Sequence, residues 1–215
     1  MDRRPALCLF VGVVALAAPP ALSQGVVAED VEGTWELTSA ENLPYEESLV
    51  FARLTFDQGD LDRTFVLLDP DDGELIGQVE DGRYLISDGQ VVVRGGRDVT
   101  VWDAVREGDA LAVRDLETGV VLRLRAADPA GAFDPALVGT WRPADQGGAG
   151  PLRFFPDGMA EVDGDREDYV VAGPYLLIGD EPRRYVVEGD VDGARRLVLS
   201  GEDGEVTFFQ DSNAR

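Results

Sequence analysis

Histidine and lysine are both missing from this 215-residue chain, and the only cysteine is Cys8. Without histidine the commonest general base, the usual zinc ligand and the usual partner of a nucleophilic serine are gone. Without lysine no Gly-x-x-x-x-Gly-Lys phosphate loop can form. Neither a Gly-x-Ser-x-Gly nor an Asp-Thr/Ser-Gly motif occurs. A single cysteine cannot form an internal disulfide. We therefore expect no enzyme, and assign no catalytic, cofactor-binding or metal-ligating residue and no cofactor.

All 19 basic residues are arginine, set against 42 acidic ones, for a net charge of −23. This balance disfavours nucleic acid and anionic membrane surfaces. Isoleucine (three) and asparagine (two) are also scarce. Like lysine, they have AT-rich codons, which fits a GC-rich genome. A dense carboxylate surface keeps a chain soluble by self-repulsion and suits a salty medium, where that repulsion is screened.

The only long apolar run is at the start. Arg3 and Arg4 precede the run from Ala6 to Ala18, and Ala21-Leu22-Ser23 places small residues before Gln24. This is the pattern of a signal peptide over residues 1–23. The run is shorter than the roughly 20 residues a membrane-spanning helix needs, so no membrane span is expected. The expected location is periplasmic or extracellular, and Cys8 would leave with the leader.

The remainder contains a motif twice. Val31-Glu32-Gly33-Thr34-Trp35 returns as Leu137-Val138-Gly139-Thr140-Trp141. A Tyr-led apolar segment follows each copy, at Tyr84 and Tyr169, and a glycine turn comes later, at Gly119 and Gly204. The spacing from tyrosine to glycine is 35 positions in both copies, which indicates duplication of one structural unit. Trp35 to Tyr84 spans 49 positions and Trp141 to Tyr169 only 28. The excess is expected between Asn42 and Arg63, as a loop, a short helix or an added strand pair. We divide the chain into a leader (1–23), a first unit (24–127), a proline-containing linker (128–136) and a second unit (137–215).

Short apolar runs separated by Asp-Gly turns fill both units. Asp88-Gly89, Asp157-Gly158, Asp192-Gly193 and Asp203-Gly204 are of this kind, and such turns between apolar runs favour hairpins. The expected fold class is all-β, two tandem antiparallel meanders closed or half closed as barrels. A shared barrel of ten or more strands is the other arrangement. The only helical signal is a turn near Leu43 to Glu47.

Gly33-Thr34-Trp35 with Thr55-Phe56-Asp57-Gln58-Gly59, and Gly139-Thr140-Trp141 with Phe154-Phe155-Pro156-Asp157-Gly158, resemble bacterial exported lipocalin-like domains. The resemblance covers both units. It implies barrels that carry hydrophobic ligands, with the first-strand tryptophan closing one end beneath an arginine of a late strand. Arg123 or Arg125 would take that place in the first unit; the aligned positions of the second are Phe208 and Gln210. Trp35 and Trp141 are read as core plugs, each contributing about 2–3 kcal/mol by burial.

Three acidic stretches have partial cation-loop patterns. Glu188-x-Asp190-x-Asp192-Gly193 has Leu199 where an EF-hand needs its twelfth-position acid, Asp163-x-Asp165-x-Glu167-Asp168 lacks the glycine, and Asp69-x-Asp71-Asp72-Gly73 is compressed. All three read better as hairpin turns.

The function expected from these features is non-enzymatic binding of a small hydrophobic ligand in the first unit. Its pocket would be lined by inward residues of Phe51 to Phe56, Phe65 to Leu67, Tyr84 to Ile86 and Val91 to Val93. The second unit is expected to fill its own interior with Phe154, Tyr169, Leu176, Ile178, Phe208 and Phe209. The alternative is a protein–protein interaction or inhibitor module of the cell envelope, with filled barrels and no ligand, engaging its partner through Asn42 to Arg63.

Overall fold

The structure, a computed structural model, describes residues 25–43, 48–69, 71–95, 98–144, 150–179, 181–189, 195–201 and 204–211. The leader, the Pro44 to Glu47 part of the helical turn and the Asp190–Gly193 turn lie outside the described residues. Two closed eight-stranded barrels follow one another. The first comprises β1 (Gly33–Glu41), β2 (Ser48–Asp57), β3 (Asp60–Leu68), β4 (Leu75–Ser87), β5 (Gln90–Gly95), β6 (Asp98–Glu107), β7 (Ala110–Asp115) and β8 (Val121–Ala127). The second comprises β9 (Gly139–Pro143), β10 (Leu152–Phe154), β11 (Met159–Val162), β12 (Asp165–Ala172), β13 (Tyr175–Ile178), β14 (Glu181–Gly189), β15 (Arg195–Gly201) and β16 (Gly204–Gln210). Each strand pairs antiparallel with the next, and the last pairs with the first. Full closure leaves no edge strand open.

Each barrel has its own floor, built in the same way. Trp35 and Trp141 are almost fully buried. Each indole donates from Nε1 to the carbonyl four residues earlier, Val31 and Leu137, at 2.6 Å in both cases. That bond folds the preceding segment beneath the barrel. In the first, α1 (Ala28–Val31) brings Val26 and Val31 into the core. In the second, Leu137 does so after a 3₁₀ turn at Pro129–Ala132. Phe56 meets Tyr84 edge-on at 5.0 Å, and Phe154 meets Tyr169 at 5.1 Å. The tyrosine amides bond the carbonyls of Gly59 and Gly158. These paired contacts identify the tyrosines as equivalent.

Among the described residues, the extra length of the first unit forms no inserted element. It lengthens the first four strands, which have 9, 10, 9 and 13 residues against 5, 3, 4 and 8 in the second. The equal spacing of 35 conceals slips in register that do not cancel. Trp35 pairs with Ala126 and Trp141 with Gln210, so Leu124, not Arg123, is the counterpart of buried Phe208.

The barrels are separate, and they pack on each other. Phe51, Val66 and Leu75 on the outer face of the first meet Ala172, Tyr175 and Leu177 of the second. Arg53 sits beside them, only 5% exposed. It pairs with Glu36 of its own barrel and donates to the Val171 carbonyl of the other at 2.9 Å. Gly173 has φ +60°, and a Cβ there would lie 2.9 Å from the Phe51 ring, so both conformation and space call for glycine.

Removing one partner of a buried ion pair strands the other. Arg53→Met is therefore expected to lower the unfolding free energy by about 3 kcal/mol, read from urea denaturation. A loss below about 1 kcal/mol would put Arg53 among ordinary surface cations.

Candidate functional site

A closed barrel with a tryptophan floor can admit a ligand only at its other end. At that end of the first barrel lies a cavity of about 250 Å³, lined by Leu43, Leu49, Phe65, Leu67, Trp102, Val113 and Leu122 with Gln78 and Asp115. At that end of the second lies one of about 560 Å³. Its apolar lining is Leu152, Val162, Ile178, Leu199, Val206 and Phe208, and its charged lining is Asp163, Glu167, Glu181 and Arg183.

Strand register explains the difference. Tyr84 and Tyr169 are equivalent, so Ile86 corresponds to Val171; these pair with Val91 and Leu176, which in turn pair with Trp102 and Arg183. Trp102 and Arg183 therefore occupy the same place. The Trp102 ring fills the first barrel, its Nε1 donating to the Asp115 carboxylate at 3.3 Å. In the second barrel Arg183 leans to Glu181, with Nη2 to Oε2 at 3.3 Å, and leaves the space open. The three short strands at the start of the second barrel also lower its wall.

The expected division of interior space is thus corrected. The second barrel, not the first, holds the larger lumen. Phe154, Tyr169, Leu176 and Phe208 are buried in it and Ile178 is partly buried, as expected for interior side chains, but Phe209 points outward and is 47% exposed.

Of the segments assigned to a first-barrel pocket, only Phe65 and Leu67 line the cavity. Leu54, Phe56, Tyr84, Val91 and Val93 form the packed core beneath, with Ile86 against them. Phe51 and Val66 face the second barrel, and Leu85 faces solvent. A bulge between Leu49 and Phe51 re-aims Leu49 into the lumen. Simple alternation cannot reveal that switch. The second barrel covers Phe51 and Arg53 on the outer face of β2, while Val50, at the bulge, is exposed.

The arginine over the floor is Arg106 of β6, its guanidinium carbon 5.2 Å from the Trp35 ring centroid. Its Nη1 also donates to the Glu29 carbonyl at 3.0 Å. Arg123 and Arg125 lie outside, near Glu41 and Glu36. In the second barrel Arg195 reaches the Ala136 carbonyl at 3.4 Å from the corresponding hairpin. The Asp69–Gly73 stretch is a loop in which the Asp69 carboxylate accepts from the Asp71 amide, and Asp163-Gly164 is a two-residue turn. No helix among the described residues is long and apolar enough to cross a membrane.

No family model matches the chain, and no curated protein or solved structure matches it.

Two tyrosines near the floor of the second barrel have strongly raised pKa values. Burial, followed by the charge of Asp134 and its hydrogen bond, pushes Tyr185 up to about 12. Burial, then the charges of Asp134 and Asp157, pushes Tyr169 up to about 12. An unfolded tyrosine loses its proton near 10.0. Above that pH the unfolded chain binds fewer protons than the folded one, so stability falls as pH rises. The contribution is complete below pH 10 and is lost between 10 and about 12. Tyr185→Phe is expected to flatten this decline in urea midpoints measured across that window; an unchanged slope would assign it to other groups.

Proposed function

We propose that this protein is an exported, non-enzymatic binding protein of lipocalin-like type that holds one small, largely apolar molecule in the lumen of its second barrel. The observation that carries the reading is the 560 Å³ cavity, which lies within the roughly 300–1,000 Å³ typical of small-ligand sites. The first cavity, at about 250 Å³, lies below that range.

Three features support the lipocalin-like type. Both sheets are eight-stranded up-and-down barrels, about the smallest barrel that holds a ligand. Each has a buried tryptophan on its first strand. The first also has an arginine stacked on that ring. Export rests on the leader-like residues 1–23 alone. The non-enzymatic reading rests on the missing histidine and on a lumen whose described lining holds no serine, threonine or cysteine.

A second reading, a protein-interaction module, is favoured by one outer surface. Leu85, Val92 and Val101 are consecutive cross-strand partners on the outside of β4, β5 and β6. Leu116 joins them through its amide bond to the Val101 carbonyl. This reading needs no lumen binding.

Titration with the neutral probe N-phenyl-1-naphthylamine tests the choice. Saturation at one probe per chain is expected. Val206→Trp fills the lumen and should weaken binding at least about tenfold, by analogy with the lost pocket contacts of a blocked site. Leu67→Trp, in the first barrel, should leave it unchanged. A linear, non-displaceable signal would sink the carrier reading and leave the interaction module.

A further inference from the structure

We propose that the second-barrel lumen selects cationic amphiphiles. The apolar body would lie among Val162, Leu199 and Val206, and an ammonium or amidinium head would be held at the mouth by Asp163 and Glu167. This inference rests on the lumen being a ligand site and adds the charge of the ligand.

Strand register shows that the charge is a departure of the second barrel from the first. Glu167 lies two residues before buried Tyr169, on the inward-facing side of β12 by strand alternation, and it lines the cavity. The equivalent position in the first barrel is Gly82, two residues before Tyr84. Glu181 replaces Thr100, since Ile178 and Val93 are equivalent and pair with them. Arg183 replaces Trp102. Three uncharged positions of one barrel are thus ionic in the other, on β12 and β14 beside the opening, while the first barrel has its own ion pair, Arg63 with Glu80, where the second has Val162 and Asp165.

The charges do not cancel. Arg183 is paired with Glu181. Among the described residues neither the Asp163 nor the Glu167 carboxylate has a hydrogen bond or ion pair. The first cavity differs here too. Its one carboxylate, Asp115, accepts from the amides of Glu117 and Thr118 at 2.8 Å each and from Trp102. That carboxylate is occupied, whereas the two in the second mouth remain available to a guest.

An entering cation meets two uncompensated carboxylates at the edge of an apolar cleft, in a protein of net charge −23. Clefts lined by one sign of charge concentrate the opposite sign. A carboxylate head would have Arg183 alone, shared with Glu181, and would enter against the field of the whole molecule. A neutral head would gain nothing from either.

The test is displacement of N-phenyl-1-naphthylamine by three ligands of equal chain length, decylammonium, decanol and decanoate, each below its aggregation concentration. At low salt decylammonium should half-displace the probe at a concentration about 1.5- to fivefold below decanol, the range expected of an exposed ion pair, with decanoate weakest. The advantage should shrink in about 1 M salt, where charges a few ångströms apart are screened.

Asp163→Asn with Glu167→Gln should bring decylammonium to the level of decanol and leave decanol itself unchanged. The constant decanol value doubles as a check that the barrel has folded. Arg183→Met frees Glu181 and should widen the advantage. The proposal is overturned if decanoate displaces best, if decylammonium merely equals decanol, or if its advantage survives the double substitution. Failure of all three ligands to displace a bound probe, or of the probe to bind, overturns the lumen reading itself and this inference with it.

Discussion

A sheet of eight strands closed on itself has no edge to protect and only enough interior for one or two layers of large side chains. Everything in this protein follows from how each barrel fills that interior. At one end a tryptophan on the first strand occupies the full cross-section and ties itself to the carbonyl four residues back. That bond satisfies a buried indole donor, which would otherwise cost about 1–3 kcal/mol. It also pulls the preceding turn under the barrel, so Val31 and Leu137 complete the floor. With one end sealed in this way, a pocket can open only at the other.

The contact between the barrels imposes a second constraint. The outer faces of β2 and β3 are covered by β12 and β13, and the joint contains a buried arginine rather than an apolar side chain alone. Arg53 contacts both halves, through Glu36 and through the Val171 carbonyl. Its guanidinium also lies close enough to Gly131 to disfavour a side chain there. A buried cation is tolerated only where partners meet it from several directions. Its burial is therefore a geometric statement that these two surfaces and the linker belong together. Away from this joint, an apolar stripe of the first barrel lies around Leu85 and Val101.

Much of this architecture was legible in the residues. The duplicated Gly-Thr-Trp, the Asp-Gly turns and the alternating apolar runs encode period, turn and floor, which are local properties. The long-range assignments were less visible, for definite reasons. The bulge at Val50 reverses which residues of β2 face inward, and nothing in the apolar pattern marks it. Equal spacing between Tyr84–Gly119 and Tyr169–Gly204 hid slips in register, so Phe208 was matched with Arg123 instead of Leu124. Arg106 caps Trp35 because β6 ends over the floor, a fact of barrel closure that no spacing along the chain expresses. The extra length of the first unit read as an insertion, and instead it lengthened four strands and raised the wall.

The larger lumen lies in the shorter barrel. Chain length suggested room, but length added to strands raises walls without widening the interior, since the width depends on strand number. Interior volume is governed by the side chains that point inward at the mouth. There the longer barrel has Trp102 and the shorter one Arg183. A ring of tryptophan size fills the space where it stands, whereas a guanidinium seeks a carboxylate at the rim and vacates the axis. Glu181, two residues earlier on the same inward-facing side of β14, draws it there. In this chain the open mouth is marked by the inward pair Glu181 and Arg183 of β14. Both copies have the same floor, where a smaller side chain would leave a cavity and an unmet carbonyl. Their mouths differ, one closed by an indole and the other opened by an ion pair.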